Sequence, residues 1–220
     1  MSNYSAFDVV GPIMIGPSSS HTAGASRIGY TAYKLVKSSI KNVEFVLHGS
    51  FARTYRGHGT DKAILAGVLG IREYDEKLRD SFQIAKDQGV KFLFSEDDLG
   101  DVHPNTVKIK VEEISGAKFE LVGSSIGGGS IKIIEINGIG VSIKGEYPAI
   151  IVSHKSRKGM IAGFTKILTD HGLDILFMSF YKEEDEKAGL MVIEVDKKIQ
   201  NEVVDEIKRS IEGIIELYLI

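Results

Sequence analysis

The spacing of apolar residues predicts a first domain that mixes helices and strands. Apolar side chains recur at near-helical intervals in three stretches, two of which end at a glycine. Between residues 90 and 138 the chain instead alternates or is rich in β-branched residues, with Gly, Asn and Pro between the runs. The predicted helices are 23–37, 59–70 and 79–89, and an earlier strand is predicted at 42–51. We therefore expect residues 1–146 to form an α+β domain with a largely antiparallel sheet.

The remaining residues, 147–220, show a clearer order of elements. A β-branched run is followed by a helical period, two strands joined by an acidic turn at 183–187, a second helical period and a final strand. This is the βαββαβ order of ferredoxin-like folds. The pattern predicts a second, ferredoxin-like domain.

Composition and charge exclude several classes of protein. The 220 residues are 43% hydrophobic and 26% charged, which are ordinary globular values. A formal net charge of −3 argues against a nucleic-acid-binding surface. No apolar run approaches the ~18 residues of a membrane span, and the N-terminus lacks the basic region and apolar stretch of a signal peptide. We expect a cytoplasmic protein that is not bound to a membrane.

The chain contains no cysteine. Disulfides are therefore impossible, and this chain supplies no thiolate for a metal or iron–sulfur site.

Candidate chemistry begins with the stretch GPSSSHTAGAS, residues 16–26. Small hydroxyl side chains surround one imidazole, His21, just before a predicted helix. A serine in this place can cap the first free N–H groups of the helix, and the same N–H groups can bind a carboxylate or phosphate. Both interpretations remain open from sequence. The hydroxyl residues are Ser18, Ser19, Ser20 and Thr22.

A second stretch, RTYRGHGTDKA, places His58 between two glycines, with Thr60 and Asp61 at the start of a predicted helix that closes at Gly70. We interpret it as a glycine-rich loop followed by a capped helix. Two such loops, each with a histidine at a helix start, indicate a shared polar pocket.

The third stretch, GSSIGGGSI, contains Gly127, Gly128 and Gly129 between predicted strands. It predicts either a hairpin turn or a backbone cradle for a small anion. It is not a P-loop, because no Gly-Lys-Ser/Thr follows, and not a dinucleotide fingerprint, because no helix follows.

Two other kinds of site are disfavoured. A serine hydrolase would need an orienting acid and a Gly-x-Ser-x-Gly elbow that turns from a strand into a helix, and no helix is predicted after the one match to this pattern, residues 123–127. The two histidines with Asp61 match no recognised spacing of metal ligands, so no metal ligand is predicted.

The segments FDVVGPIMIGPSSSHTAGASRIG, HGSFARTYRGHGTDKAILAG and VGSSIGGGSI together resemble the beta chain of the bacterial iron–sulfur-dependent L-serine dehydratases (L-serine ammonia-lyases). The resemblance covers essentially the whole chain. It implies that the first domain is similar to the allosteric substrate-binding domain of some phosphoglycerate dehydrogenases. It also implies that residues 147–220 form an ACT domain, in agreement with the βαββαβ order.

The resemblance further implies an activity and a partner. The reaction would convert L-serine to pyruvate and ammonia without pyridoxal phosphate. An alpha chain would carry the cysteines of a four-iron iron–sulfur cluster, so this chain would be inactive alone. The resemblance also implies that the chain forms a homo-oligomer through the ACT domain. The loop SHKSRKG lacks the Asp-x-Pro-Gly turn of many amino-acid-binding ACT domains, which leaves effector or monovalent-cation binding open.

Site roles follow from the resemblance together with the chemistry of the side chains. His58 and His21 are the candidate catalytic residues, because an imidazole near its normal pKa can remove the Cα proton. The alternative is a purely regulatory module that senses serine or another small anion and has no catalytic residue. The candidate substrate-binding residues are Ser18, Ser19, Ser20, Thr22, Thr60, Asp61, Gly127, Gly128 and Gly129.

Overall fold

The computed structural model describes residues 12–182 and 188–220. The chain divides into two compact units, and the division along the sequence falls between Gly138 and Ile139. The predicted acidic turn at 183–187 lies outside the described residues. The assignment of residues 1–146 and 147–220 to two named domains stays a prediction.

In the first unit, helices and strands come in the mixed order that the sequence predicts. A π-helical turn, Ser19–Gly24, continues directly into the first α-helix, and a 3₁₀ turn, Glu76–Asp80, precedes the last helix. The α-helices are α1 (Ala25–Leu35), α2 (Gly49–His58), α3 (Thr60–Val68) and α4 (Ser81–Asp87). The strands are β1 (Ile40–Leu47), β2 (Lys91–Glu96), β3 (Thr106–Glu113), β4 (Lys118–Gly127) and β5 (Ser130–Ile136).

The strands of this unit are ordered β2-β1-β3-β4-β5. Only the β1–β2 pair among them is parallel, and the neighbouring pairs from β1 to β5 are antiparallel. Phe45 on β1 faces Ile109 on β3, and both side chains are fully buried together with Leu121 of β4. The largely antiparallel sheet predicted from the sequence is therefore confirmed.

Helices α1 and α3 pack with their backbones in direct contact. A Cβ atom on Gly67 would lie 2.1 Å from the carbonyl oxygen of Ser26, and one on Gly29 would lie 2.3 Å from that of Ile64. No side chain fits between backbones at such distances, so glycine is required at both positions. This contact fixes α3 against the helix that follows the serine-rich turn.

The second unit begins with β6 (Ile139–Ile143) and then has the βαββαβ order. Its four-stranded sheet is ordered β10-β7-β9-β8 with every neighbouring pair antiparallel. Phe164, Leu168 and Ile207 from the two helices are buried with sheet residues in one core. The elements are β7 (Ala149–Lys155), α5 (Met160–Asp170), β8 (Ile175–Lys182), β9 (Ala188–Val195), α6 (Asn201–Ser210) and β10 (Ile214–Leu219).

The predicted fold class, an α+β first part with a ferredoxin-like second part, is confirmed. The predicted strand at 42–51 is wrong at its end, because β1 stops at Leu47 and α2 begins at Gly49. Phe51 and Tyr55 are buried one helical turn apart, and this packing overrides the low helix propensity of the glycines around them.

Candidate functional site

The serine-rich stretch forms a π-helical turn, which we call the Ser/His turn (residues 18–24). Ser18 is its N-cap, since its Oγ accepts a hydrogen bond of 3.1 Å from the backbone N–H of His21. Its carbonyl oxygen accepts from Thr22 N at 2.8 Å and, at the wider π-helical step, from Ala23 N at 3.4 Å. The capping interpretation is thus confirmed for Ser18. Ser19 and Ser20 lie half-buried in the turn.

His58 is the last residue of α2, followed by Gly59 in the left-handed conformation with φ of 69°. The prediction of a glycine-rich loop at residues 53–59 is therefore wrong, and His58 stands at a helix end and not at a helix start. Its carbonyl oxygen accepts a 3.3 Å hydrogen bond from Thr22 Oγ1. The end of α2 is in this way tied to the Ser/His turn.

The two candidate catalytic histidines are in contact. The His21 and His58 rings lie edge to face, with centroids 4.8 Å apart and planes at 88°. Nε2 of His21 is 3.2 Å from Ser50 Oγ, and the His21 ring packs edge-on against buried Phe51 at 5.4 Å. Burial and, to a smaller extent, the neighbouring His58 hold the pKa of His21 below its ordinary value. The neutral imidazole is favoured, and a neutral imidazole can accept a proton.

Thr60 and Asp61 do not cap α3, contrary to the sequence prediction. The N-cap is Gly59, and Thr60 is fully buried with an Oγ1 that has no hydrogen-bond partner within residues 12–182 and 188–220. Asp61 Oδ1 accepts from Lys62 N at 2.8 Å, and burial raises the pKa of its carboxyl group. The predicted end of this helix at Gly70 is confirmed, because Gly70 has φ of 81° and Ile71 N returns to Ala66 O at 2.9 Å.

The three consecutive glycines form a tight turn between β4 and β5, which we call the glycine hairpin (residues 127–130). Gly127 pairs with Ser130, and the two residues between them, Gly128 and Gly129, have φ of 60° and 83°. A two-residue turn with both φ values positive strongly favours glycine, asparagine or aspartate. Of the two alternatives from sequence, the hairpin turn accounts for these glycines.

The Ser/His turn also packs directly against strand β4. Ser125 is fully buried, and a Cβ atom on Gly24 would lie 2.0 Å from its Oγ. Gly24 must therefore be glycine for the turn to lie on the sheet. Sequence reasoning missed Ser50, Phe51 and Ser125, since contacts between elements distant along the chain leave no local pattern.

The donor set does not fit an iron–sulfur cluster. The sequence has no cysteine, and no group of three or more histidine, aspartate or glutamate residues in the described parts could hold a metal ion.

A wide cleft of about 840 Å³ lies at the C-terminal end of α1 and is lined by Tyr33, Lys34 and Gln88, so it is separate from the paired histidines. None of the described helices is both long and apolar enough to cross a bilayer.

The fold and the site define a class of protein: an α+β unit with paired imidazoles beside a serine-rich turn, followed by a ferredoxin-like unit. Comparisons with known proteins narrow this class. The family model described as "Serine dehydratase beta chain" matches residues 5–78. The "L-serine dehydratase, beta chain" of Peptoniphilus asaccharolyticus is 41% identical over 215 residues, which are 97% of this chain and 95% of that protein. The "Probable L-serine dehydratase, beta chain" of Bacillus subtilis is 42% identical over 205 residues, 93% of each.

The chain belongs to the family of L-serine dehydratase beta chains. A more distant likeness extends to a second enzyme. The D-3-phosphoglycerate dehydrogenase of Methanocaldococcus jannaschii is 27% identical over 188 residues, which are 84% of this chain but 34% of that protein. The similarity to phosphoglycerate dehydrogenases expected of the first domain is in line with this match.

Proposed function

We propose that this chain is the beta subunit of a two-chain L-serine dehydratase, which converts L-serine to pyruvate and ammonia. An alpha chain carries the four-iron cluster, and this chain supplies the Ser/His turn and the end of α2 to the substrate pocket. Family membership supports the activity. The observation that carries the role of this chain is the contact between the His21 and His58 rings, 4.8 Å apart.

The reaction requires proton transfer, which an imidazole can perform. Dehydration of serine removes the Cα proton and expels the Cβ hydroxyl as water, and the resulting enamine rearranges and is hydrolysed to pyruvate and ammonia. His21 suits the role of base because its lowered pKa keeps it neutral near neutral pH. His58 is exposed and adjacent, so it is accessible to a substrate that reaches His21.

The cluster enters this proposal only as a group of the partner chain. The absence of cysteine from the sequence and of a metal-binding group among the described residues supports its assignment to the alpha chain. The roles proposed for this chain are therefore substrate binding and proton transfer alone.

Hydroxyl groups beside the imidazoles suit the polar parts of serine. Ser19 and Ser20 lie at the start of a helical segment, where backbone N–H groups lack intrahelical acceptors and favour a carboxylate. Thr60 is fully buried in this structure, so its part in binding would require the turn to open. Asp61 and the glycines 127–129 remain candidate binding residues.

Substitution of the histidines in the reconstituted two-chain complex tests the proposal. His21→Asn and His58→Asn keep much of the side-chain size but remove the titrating nitrogen. Loss of a general acid or base costs about 10²–10⁴ in rate, so we expect kcat to fall by this factor for at least one variant, with KM changed less and the cluster spectrum intact.

His103→Asn is the matched control, since His103 is exposed in a turn and accepts a hydrogen bond from Asn105 N. Ser20→Ala should mainly raise KM. Near-normal kcat in both His21→Asn and His58→Asn would contradict the catalytic role.

A regulatory role is the second candidate, and the partial match to a phosphoglycerate dehydrogenase favours it. Two enzymes of different name share this region, although it makes up only 34% of the dehydrogenase. A shared region of this kind suits the binding of a common small ligand such as serine. Under this alternative the histidine variants keep their kcat at saturating serine but change in cooperativity or activation.

Homo-oligomer formation through the second unit is part of the same proposal. Its outer strand β8 carries Phe177, which is 60% exposed, and Leu176, which is 37% exposed. Edge strands with apolar side chains pair readily with a second copy. Sedimentation of Phe177→Glu should show a smaller assembly than the wild-type chain, and an unchanged assembly would place the interface elsewhere. Cytoplasmic location and monovalent-cation binding stay predictions.

A further inference from the structure

Arg27 joins two elements that flank the Ser/His turn. Its Nε donates to Glu73 Oε1 at 2.9 Å, and its Nη1 donates to the carbonyl oxygen of Gly129 at 2.9 Å. Arg27 lies on the first turn of α1, immediately after the Ser/His turn. One guanidinium therefore holds the tip of the glycine hairpin to the helix that carries the turn.

Glu73 extends this link to the chain that enters the turn, residues 12–17, which we call the entry segment. Its side chain is 7% exposed, and its backbone carbonyl accepts a 2.7 Å hydrogen bond from Ile15 N. Pro12 of the same segment lies against the hairpin, since a Cβ atom on Gly129 would be 2.8 Å from Pro12 Cγ. The ion pair thus lies where the entry segment and the hairpin converge.

The geometry requires an arginine. A guanidinium presents several N–H donors in a rigid plane, so two of its nitrogens can bind two separate acceptors at once. A lysine ammonium at this position keeps the positive charge as a single point on a flexible stem. It could pair with Glu73 but would not hold Gly129 O in the same fixed geometry.

We propose that Arg27 and Glu73 are positioning residues that lock the glycine hairpin and the entry segment beside the Ser/His turn and thereby set the affinity for substrate. This inference rests on the proposed function, since it assigns substrate binding to this region. The imidazoles have supports of their own, because Ser50 contacts His21 and Thr22 contacts the backbone of His58. Loss of the ion pair should therefore disturb binding more than proton transfer.

The test compares Arg27→Gln, Arg27→Lys and Glu73→Gln in the reconstituted complex, with Arg79→Gln as the control. Arg79 is exposed on the 3₁₀ turn of the same unit. For the two Arg27 variants we expect KM for serine to rise about tenfold or more, with kcat within about threefold of wild type, because each loses a charge-assisted hydrogen bond outside the proton-transfer pair. Failure of lysine to rescue KM is the distinguishing result, and Arg79→Gln should match the wild type.

Amide hydrogen exchange at residues 127–130, measured on the purified chain by mass spectrometry, tests the same inference without any activity. Exchange should be faster in Arg27→Gln and Glu73→Gln than in Arg79→Gln, with an unchanged circular dichroism spectrum. Unchanged exchange in both would overturn the inference even if the histidine variants confirm the proposed function. Faster exchange with an unchanged KM, or full rescue of KM by lysine, would also overturn it. Normal kcat in both histidine variants would instead overturn the proposed function and leave the exchange result intact.

Discussion

The contact between α1 and α3 leads to a prediction about two glycines that occupy equivalent places in their helices. Gly67 is the penultimate residue of α3, and Gly57 is the penultimate residue of α2. A Cβ atom on Gly67 would lie 2.1 Å from Ser26 O and 2.7 Å from Tyr30 N, both backbone atoms of α1. A Cβ atom on Gly57 would have no other atom within 4 Å apart from its own helix and neighbours. The same substitution by alanine should therefore act in opposite directions.

Two opposing effects set the magnitude. Alanine is favoured over glycine within a helix by about 0.8–1 kcal/mol, and Gly57→Ala should gain up to this amount, reduced by its place near the helix end. For Gly67→Ala the same gain is opposed by an overpacking cost of about 1–3 kcal/mol, toward the upper end because backbone cannot rotate away as a side chain can. We expect Gly67→Ala to lose about 1–2 kcal/mol of unfolding free energy.

The assay is urea denaturation of the wild type, Gly67→Ala and Gly57→Ala, followed by circular dichroism at 222 nm. If the dependence of unfolding free energy on urea concentration is the same in all three, the midpoints report their relative stability. The midpoint should fall for Gly67→Ala and stay equal or rise for Gly57→Ala. The reasoning is refuted if Gly67→Ala is as stable as the wild type, or if Gly57→Ala loses as much stability as Gly67→Ala. Either result would mean that the helix crossing does not depend on backbone contact at Gly67.

Three further predictions concern the paired histidines and the cluster. By NMR titration, His21 should show a pKa below the ordinary ~6.5, and His58→Asn should raise it because the neighbouring imidazole is gone. Since the unfolded chain binds this proton more tightly, the contribution of His21 makes unfolding free energy fall as pH decreases through and below ~6.5, and His21→Asn should reduce that slope in urea titrations at several pH values. The purified chain treated anaerobically with iron and sulfide should stay colourless, because it has no thiolate, and a stable brown chromophore would contradict the two-chain assignment.

The sequence predicts well wherever a local pattern determines the structure. The ferredoxin-like order of the second unit follows from alternating and helical periods, and helix α3 is closed by Gly70, two residues after its last helical residue, as expected of a C-terminal glycine. Prediction fails at residues 49–59, where glycines suggest a loop but the burial of Phe51 and Tyr55 produces helix α2. The spacing of these two aromatic residues, four apart, is the one local signal of that helix.

The candidate site likewise has residues that the sequence indicates and residues that only the structure shows. Both histidines are visible in the sequence, because His21 stands among small hydroxyl residues and His58 stands between two glycines, and neither setting is an apolar pattern. The residues that hold the surrounding segments in place are not visible, since Ser50 contacts His21, Glu73 binds Arg27 and Ser125 packs against Gly24 across large distances along the chain. Only the folded chain shows that these contacts exist.

The contact between the two imidazoles favours one proton-transfer pair over two separate anion-binding groups. An anion site gains from protonated imidazoles, yet burial and the neighbouring His58 both lower the pKa of His21. Two positive charges at a ring separation of 4.8 Å would repel each other, so the doubly protonated pair is disfavoured near neutral pH. A pair held below full protonation has at least one nitrogen lone pair available, and this is the state that a base needs at the Cα proton of serine. Under the proposed function, the serine hydroxyls and the N–H groups of the Ser/His turn, which carry no titrating charge, would bind the carboxylate.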